Sequence, residues 1–245
     1  MKNMLANSNM SDDELRKLYE NIKTDMGIEN ENLDTIFQTA MLDRSVLFPN
    51  QQKKSEEECL RKWIKNYVNA MEKLPSEHIG EAKQTCSDPA LATIIKIARK
   101  SSKEEIEKME TNHNLFMSTE NIQGRLLEEY IANNIESYGW VWCAGNTLRA
   151  VDFCKQDGSA LLQVKNKYNT ENSSSTAIRN GTKIEKWYRL KAKKKNNAYA
   201  PHYRWDELNN IINSTLDEND ELCNMSEEDY QKFLERVVEI NPNIV

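Results

Sequence analysis

The stretch VDFCKQDGSALLQVKNK, residues 151–167, admits few folds. Apolar positions run through Val151, Phe153 and Cys154, stop at Asp157-Gly158, and resume at Leu161, Leu162 and Val164, the pattern of two short strands joined by a tight turn. Asp152, Gln163 and Lys165 then fall near the far ends of the two arms. Alternate residues of a strand share a face, so Gln163 and Lys165 project together. A carboxylate, an amide and an ammonium at that place need a reason.

The 245 residues suffice for one large domain or two small ones. Residues 1–115 are expected to be a helical portion that supports the rest or forms a dimer surface. Ser11 to Glu14 have capping-box spacing, and Leu60, Trp63, Ile64, Tyr67, Val68 and Met71 recur at the three-and-four spacing of one helix face. Further helices are expected from Asp88-Pro89 through Leu91, Ile94, Ile95 and Ile97, and around Lys103 to Met109.

Residues 116–245 are expected to form the second, α/β part. Ser118 or Thr119 should cap a helix through Ile135, with Gly124, Leu127, Ile131 and Ile135 as its inward stripe. At 100° per residue Glu128 lies at the edge of that stripe and Glu129 points away. GWVWCAG, 139–145, suits a strand. KIEKWYRLKAKKK follows an Asn-Gly break and is compatible with either strand or helix. Ser226 to Asp229 resemble another cap, opening a helix that docks through Tyr230, Phe233, Leu234 and Val237.

The formal charge of −6 announces no polyanionic partner, yet its distribution does. Arg149 to Arg204 carry thirteen Lys or Arg against four acids, leaving a balance of −15 for the remainder. Such separation gives a basic surface that attracts polyanions and an acidic remainder that keeps the chain soluble. Cys59, Cys86, Cys143, Cys154 and Cys223 are scattered and never in CxxC spacing, which argues against a zinc cluster or a disulfide scaffold and suits small buried or half-buried thiols in a reducing cytoplasm. The first residues lack the apolar run of a secretory signal, and no stretch reaches the roughly 20 apolar residues of a membrane span. His78, His113 and His202 are isolated and carry no ligand spacing.

An Asp and a Lys in a hairpin form, in the simplest case, an exposed ion pair. Here four features arrive in order: a helix bearing Glu128, a strand, Asp152, then Gln163 with Lys165. Phosphodiester hydrolysis calls for such a set. The phosphate is anionic, and a divalent cation held by one or two carboxylates stabilises the charge that develops, while a neighbouring lysine serves the attacking water or the pentavalent phosphorus.

LLEEYI, VDFCK and LLQVKNK in this order resemble the core of the PD-(D/E)XK nuclease superfamily. That resemblance implies an α/β fold with a mixed central sheet flanked by helices, Mg2+ as cofactor, and a site of Asp152, Gln163, Lys165 and Glu128, or less readily Glu129. Asp152, Glu128 and Gln163 would be the metal ligands. Gln163 stands where the superfamily usually has an acid, which lowers the charge at the metal, puts a two-ion site in doubt and makes Glu128 more necessary. The longer stretch Gln163 to Arg189 is similar to type II restriction endonucleases of the SinI kind, and implies cleavage of duplex DNA at GGWCC or a close relative.

The residues of that stretch agree. Within a recognition segment of about 166–205, Asn172, Ser173, Ser174, Ser175 and Thr176 suit phosphate or base-edge contacts, and Arg179 suits a bidentate contact to guanine. Lys183, Lys186, Arg189, Lys191 and Lys193 to Lys195 suit phosphates. Ser-rich runs are often only linkers, and Trp187 and Tyr188 more often core than base-stacking. A palindromic site is matched most simply by a two-fold homodimer, and restriction implies a partner DNA methyltransferase. A structure-specific nuclease of the same superfamily and a non-catalytic DNA-binding module are the rival readings.

Overall fold

The structure, a computed structural model, describes residues 5–51, 55–80, 86–167, 183–195 and 198–245. Its hairpin forms where the alternation predicts it. Strand β2 (Phe153–Lys155) pairs antiparallel with β3 (Leu161–Lys167), placing Phe153 opposite Leu162 and Cys154 opposite Leu161. Gly158, in the turn, has φ +71°, a region glycine enters without steric cost. Strand β1 (Trp140–Trp142) pairs antiparallel with β2 on the other side.

The segment compatible with strand or helix is strand β4 (Ile184–Lys195), parallel to β3 and antiparallel to β5 (Ala198–Tyr203). Among the described residues the sheet has the order β1-β2-β3-β4-β5 and is mixed. Its register puts Gln163 beside Lys186 and Lys165 beside Tyr188, so these four share one face.

Helices cover both faces. Tyr19 of α1 (Asp12–Met26), Phe37 of α2 (Glu31–Leu42) and Leu60 and Trp63 of α4 (Glu56–Glu72) pack with Val141, Cys154, Leu161 and Ile184 in one core; α3 is the short Arg44–Leu47. The other face sets Phe153, Leu162, Val164 and Trp187 against Leu127 and Ile131 of α6 (Lys103–Ile135), Trp205 and Leu208 of α7 (Trp205–Asn213) and Tyr230 of α8 (Glu227–Ile240). Burying each such side chain stabilises by about 1.5–3 kcal/mol. The amino-terminal helices are thus one full layer of the sandwich.

Helix α6 corrects one expectation. It begins at a capping box of Ser102 with Glu105 and runs 33 residues without a break. Ser118 and Thr119 cap nothing; their hydroxyls donate to the carbonyls of Asn114 and Leu115 four residues back, which lets a helix continue through them. Residues 115 and 116 are therefore adjacent residues of one helix. Helix α5 (Pro89–Arg99) does start at Asp88-Pro89, but Leu91, Ile94 and Ile97 are exposed, as is Phe116.

Four of the cysteines are buried and Cys86 is exposed, all as free thiols. Among the described residues no helix is long and apolar enough to cross a membrane.

Candidate active site

Asp152 sits where β2 begins, gripped by backbone on three sides. Its amide donates to the Leu162 carbonyl at 2.8 Å, its carbonyl accepts from Cys143 at 2.9 Å, and its Oδ2 accepts from the Val164 amide at 2.7 Å. The last bond fixes the carboxylate against β3, between Gln163 and Lys165. The chain reaches this position through a loop that β1 and α4 hold in shape. Trp63 Nε1 donates to the Thr147 carbonyl at 2.7 Å. Gly145 has φ +72°, and a Cβ there would lie 2.3 Å from the Asn66 carbonyl oxygen, so only glycine fits. Ala150, two residues before Asp152, also has positive φ, +60°, a strained state of the kind that collects at functional sites.

Asp152, Glu128, Gln163 and Lys165 all line one cavity of about 630 Å³. Glu128 comes from α6, and its Oε2 accepts from Trp142 Nε1 at 3.3 Å. Burial, and then the negative charge of Asp152, push the Glu128 carboxyl up to about 8, against the opposing pull of Trp142, Lys165 and Arg125. Burial likewise raises Asp152, opposed by Lys165 and by the Val164 hydrogen bond. Two carboxyls held in each other's field hold protons that a cation would displace.

Among the described residues no three His, Cys, Asp or Glu side chains gather to hold a metal. The donor set is two carboxylates with the amide oxygen of the buried Gln163 beside them. Oxygen donors with only one or two carboxylates fit a magnesium-sized ion, which keeps several of its waters.

Glu129 does not point away from the fold, as helical geometry alone suggests. It is buried, and both carboxylate oxygens are engaged by Ser76, through its amide at 2.8 Å and its hydroxyl at 2.5 Å. The short 3-10 turn Pro75–Glu77 packs on α6 at that point, which no periodicity in α6 could reveal. Glu129 is spent on this tie and Glu128 faces the cavity.

The expected DNA-binding residues divide. Asn172, Ser173, Ser174, Ser175, Thr176 and Arg179 lie outside the described residues. Lys183, Lys191, Lys193 and Lys194 are exposed. Lys186 holds its ammonium over the Tyr188 ring, 4.4 Å from the centroid, enclosed rather than at the surface.

Arg189 is a correction. It is buried on the opposite sheet face, where Nη1 bonds Glu227 Oε1 at 2.5 Å and Nε bonds Asn166 Oδ1 at 2.9 Å, between the rings of Tyr203 and Tyr230. It ties α8 to the sheet and has no face left for a phosphate. Trp187 and Tyr188 are core, as expected.

The sequence reading missed the two arginines of the cavity lining, Arg125 and Arg149. Arg125 stands one helical turn before Glu128, a spacing that could have flagged it.

The sequence pattern of the SinI restriction endonuclease family matches residues 56–239, taking in α4 and α5 as well as the sheet. The type II restriction enzyme Eco47I of Escherichia coli is 36% identical over 154 residues, 61% of this chain and 61% of that protein. The type II restriction enzyme SinI of Salmonella infantis is 34% identical over 155 residues, 62% of this chain and 61% of that protein. The match thus spans about three fifths of the length of these curated relatives.

Proposed function

This chain belongs to the SinI restriction endonuclease family, and from that premise we propose that it is a type II site-specific deoxyribonuclease, cutting both strands of duplex DNA at a short palindromic site of the GGWCC kind. The observation that carries the reading is the convergence of Asp152, Glu128, Gln163 and Lys165 on one cavity beside the sheet. A non-catalytic DNA-binding module has no use for two carboxyls driven together against their own repulsion.

Asp152 and Glu128 would hold a divalent cation, Mg2+ in this reading, with the Gln163 oxygen beside it. When bound, the ion supplies positive charge against the phosphate oxygen and the charge that develops on it. Gln163 contributes an oxygen without a charge, so Glu128 is needed as the second anionic ligand. Lys165, on the same strand face two residues on, donates hydrogen bonds to the attacking water and neutralises the pentavalent phosphorus. The Val164 amide keeps Asp152 aimed while this happens. Arg179 would read guanine, and Lys183, Lys191, Lys193 and Lys194 would hold phosphates without reading sequence.

A palindromic site calls for two copies related by a two-fold axis. In this reading the second copy would pack on the exposed apolar face of α5 and the first half of α6, which an isologous contact would bury against itself. A DNA methyltransferase protecting the same site would be the functional partner, and the setting the cytoplasm.

Incubation with plasmid DNA and Mg2+ tests the reading. Discrete fragments with uniform ends are expected. Nicks confined to branched or damaged structures would favour a structure-specific nuclease, and binding without any cleavage would favour the non-catalytic module.

A further inference from the structure

The cavity that holds the two carboxyls and Lys165 also receives two guanidinium groups, from Arg125 and Arg149. They line the same cavity as the carboxyls. Arg125 lies three residues before Glu128 on α6, hence on nearly the same helix face, and its charge acts on Glu128 directly. Arg149 lies three residues before Asp152, on the loop anchored by its own amide to the Leu47 carbonyl at 2.8 Å. Neither side chain makes a hydrogen bond or an ion pair among the described residues, and among the arginines so placed these two line the cavity.

Charge counting gives these groups a task. The cavity is lined by two carboxylates and three cations. Without the arginines, Lys165 would be the one basic side chain of the cavity lining to meet an approaching phosphodiester. The planar five-donor fork of a guanidinium matches the oxygens of a phosphate better than an ammonium does. Arg125 is exposed and Arg149 half-buried, so both are open to a ligand as long and rigid as a duplex.

We propose that Arg125 and Arg149 are phosphate-binding residues that clamp the DNA backbone at the cavity of the Asp152–Glu128–Lys165 centre. The inference rests on the endonuclease reading and adds to it two contacts at the catalytic cavity, from α6 and from the loop before β2. The clamp sets where the backbone lies, so its loss is felt in affinity more than in the chemical step.

The test uses the full chain, a fluorescent duplex containing GGWCC, and a scrambled duplex, with Ca2+ in place of Mg2+ for binding. Arg125→Ala and Arg149→Ala are each expected to weaken binding of both duplexes by about tenfold and to flatten the salt dependence by about one phosphate contact, whereas Lys232→Ala, whose ammonium is paired with Glu228 and lines no part of the cavity, changes neither. Arg→Lys at either position should restore the salt slope, because charge returns, and recover only part of the affinity; a merely structural arginine would show no such split. Replacing single phosphates with neutral methylphosphonates should identify one phosphate whose loss weakens the wild type and leaves the matching alanine variant unchanged. Wild-type affinity and slope in both alanine variants, or in both lysine variants should alanine prevent folding, would overturn the assignment. A wild type that binds with arginine-dependent slope yet never cuts with Mg2+ would refute the endonuclease reading and leave the clamp standing.

Discussion

Replacing Glu128 by glutamine should make the metal-free protein more stable at alkaline pH. The Glu128 carboxyl titrates near 8 in the fold against 4.5 for a free glutamate, first because it is buried and next because Asp152 repels its charge. A group whose folded-state pKa is raised binds its proton more tightly in the native state. Its contribution to stability is therefore full below about 4.5 and is lost as pH rises through about 8, at about 1.4 kcal/mol per pH unit within that window. The whole window amounts to about 3–5 kcal/mol, shared with Asp152, which is raised by the same burial.

Glutamine has no proton to lose, and its carbonyl oxygen can still accept from Trp142 Nε1. At pH 8 without metal, Glu128→Gln should thus be stabilised by about 2–4 kcal/mol, equivalent to a rise in melting temperature of several degrees. At pH 5 the gain should vanish. Added Mg2+ should raise the melting temperature of the wild type, more at pH 8 than at pH 6 because the ion competes with protons, and should leave the variant nearly unmoved. Thermal unfolding of both proteins at three pH values, with EDTA and with Mg2+, measures every arm. A variant less stable than wild type at pH 8 in EDTA, or an ion effect that survives the substitution, would refute the reasoning.

Asp152→Ala and Lys165→Ala should keep DNA binding and lose cleavage, read as retained gel shift with uncut plasmid; normal cutting by either folded variant would show the site misassigned. Arg189→Ala should destabilise by about 2–3 kcal/mol, since it leaves the half-buried Glu227 without its cation; urea unfolding would show it, and a change near zero would return Arg189 to the surface set. Ile94→Asp with Ile97→Asp should turn a dimer into a monomer in sedimentation, with little loss of fold stability because both side chains are exposed within one chain. A dimer unaffected by the pair would place the second copy elsewhere.

The hairpin and its polar ends were legible in the sequence because a strand's two-residue period and a turn's steric demand are local. They fixed which residues of 151–167 face together, and with them Asp152, Gln163 and Lys165. Helical period likewise told Glu128 from Glu129 by direction. It could not tell that Ser76 would arrive from another element to bury Glu129. Nor could local rules stop Ser118 from looking like a cap, since a serine bonding its own helix four residues back has the same sequence as one that opens a helix. Arg189 shows the limit most plainly: within a basic run it looks like a phosphate ligand, and only the approach of Glu227 and Asn166 on the hidden sheet face decides that it is a buried tie. Sequence by itself set the periods, the turn and the chemistry of each side chain. Tertiary structure alone decided which distant charges share a low-dielectric space, and so which carboxyls repel, which arginine is consumed by packing and which arginines line the cavity beside the carboxyls.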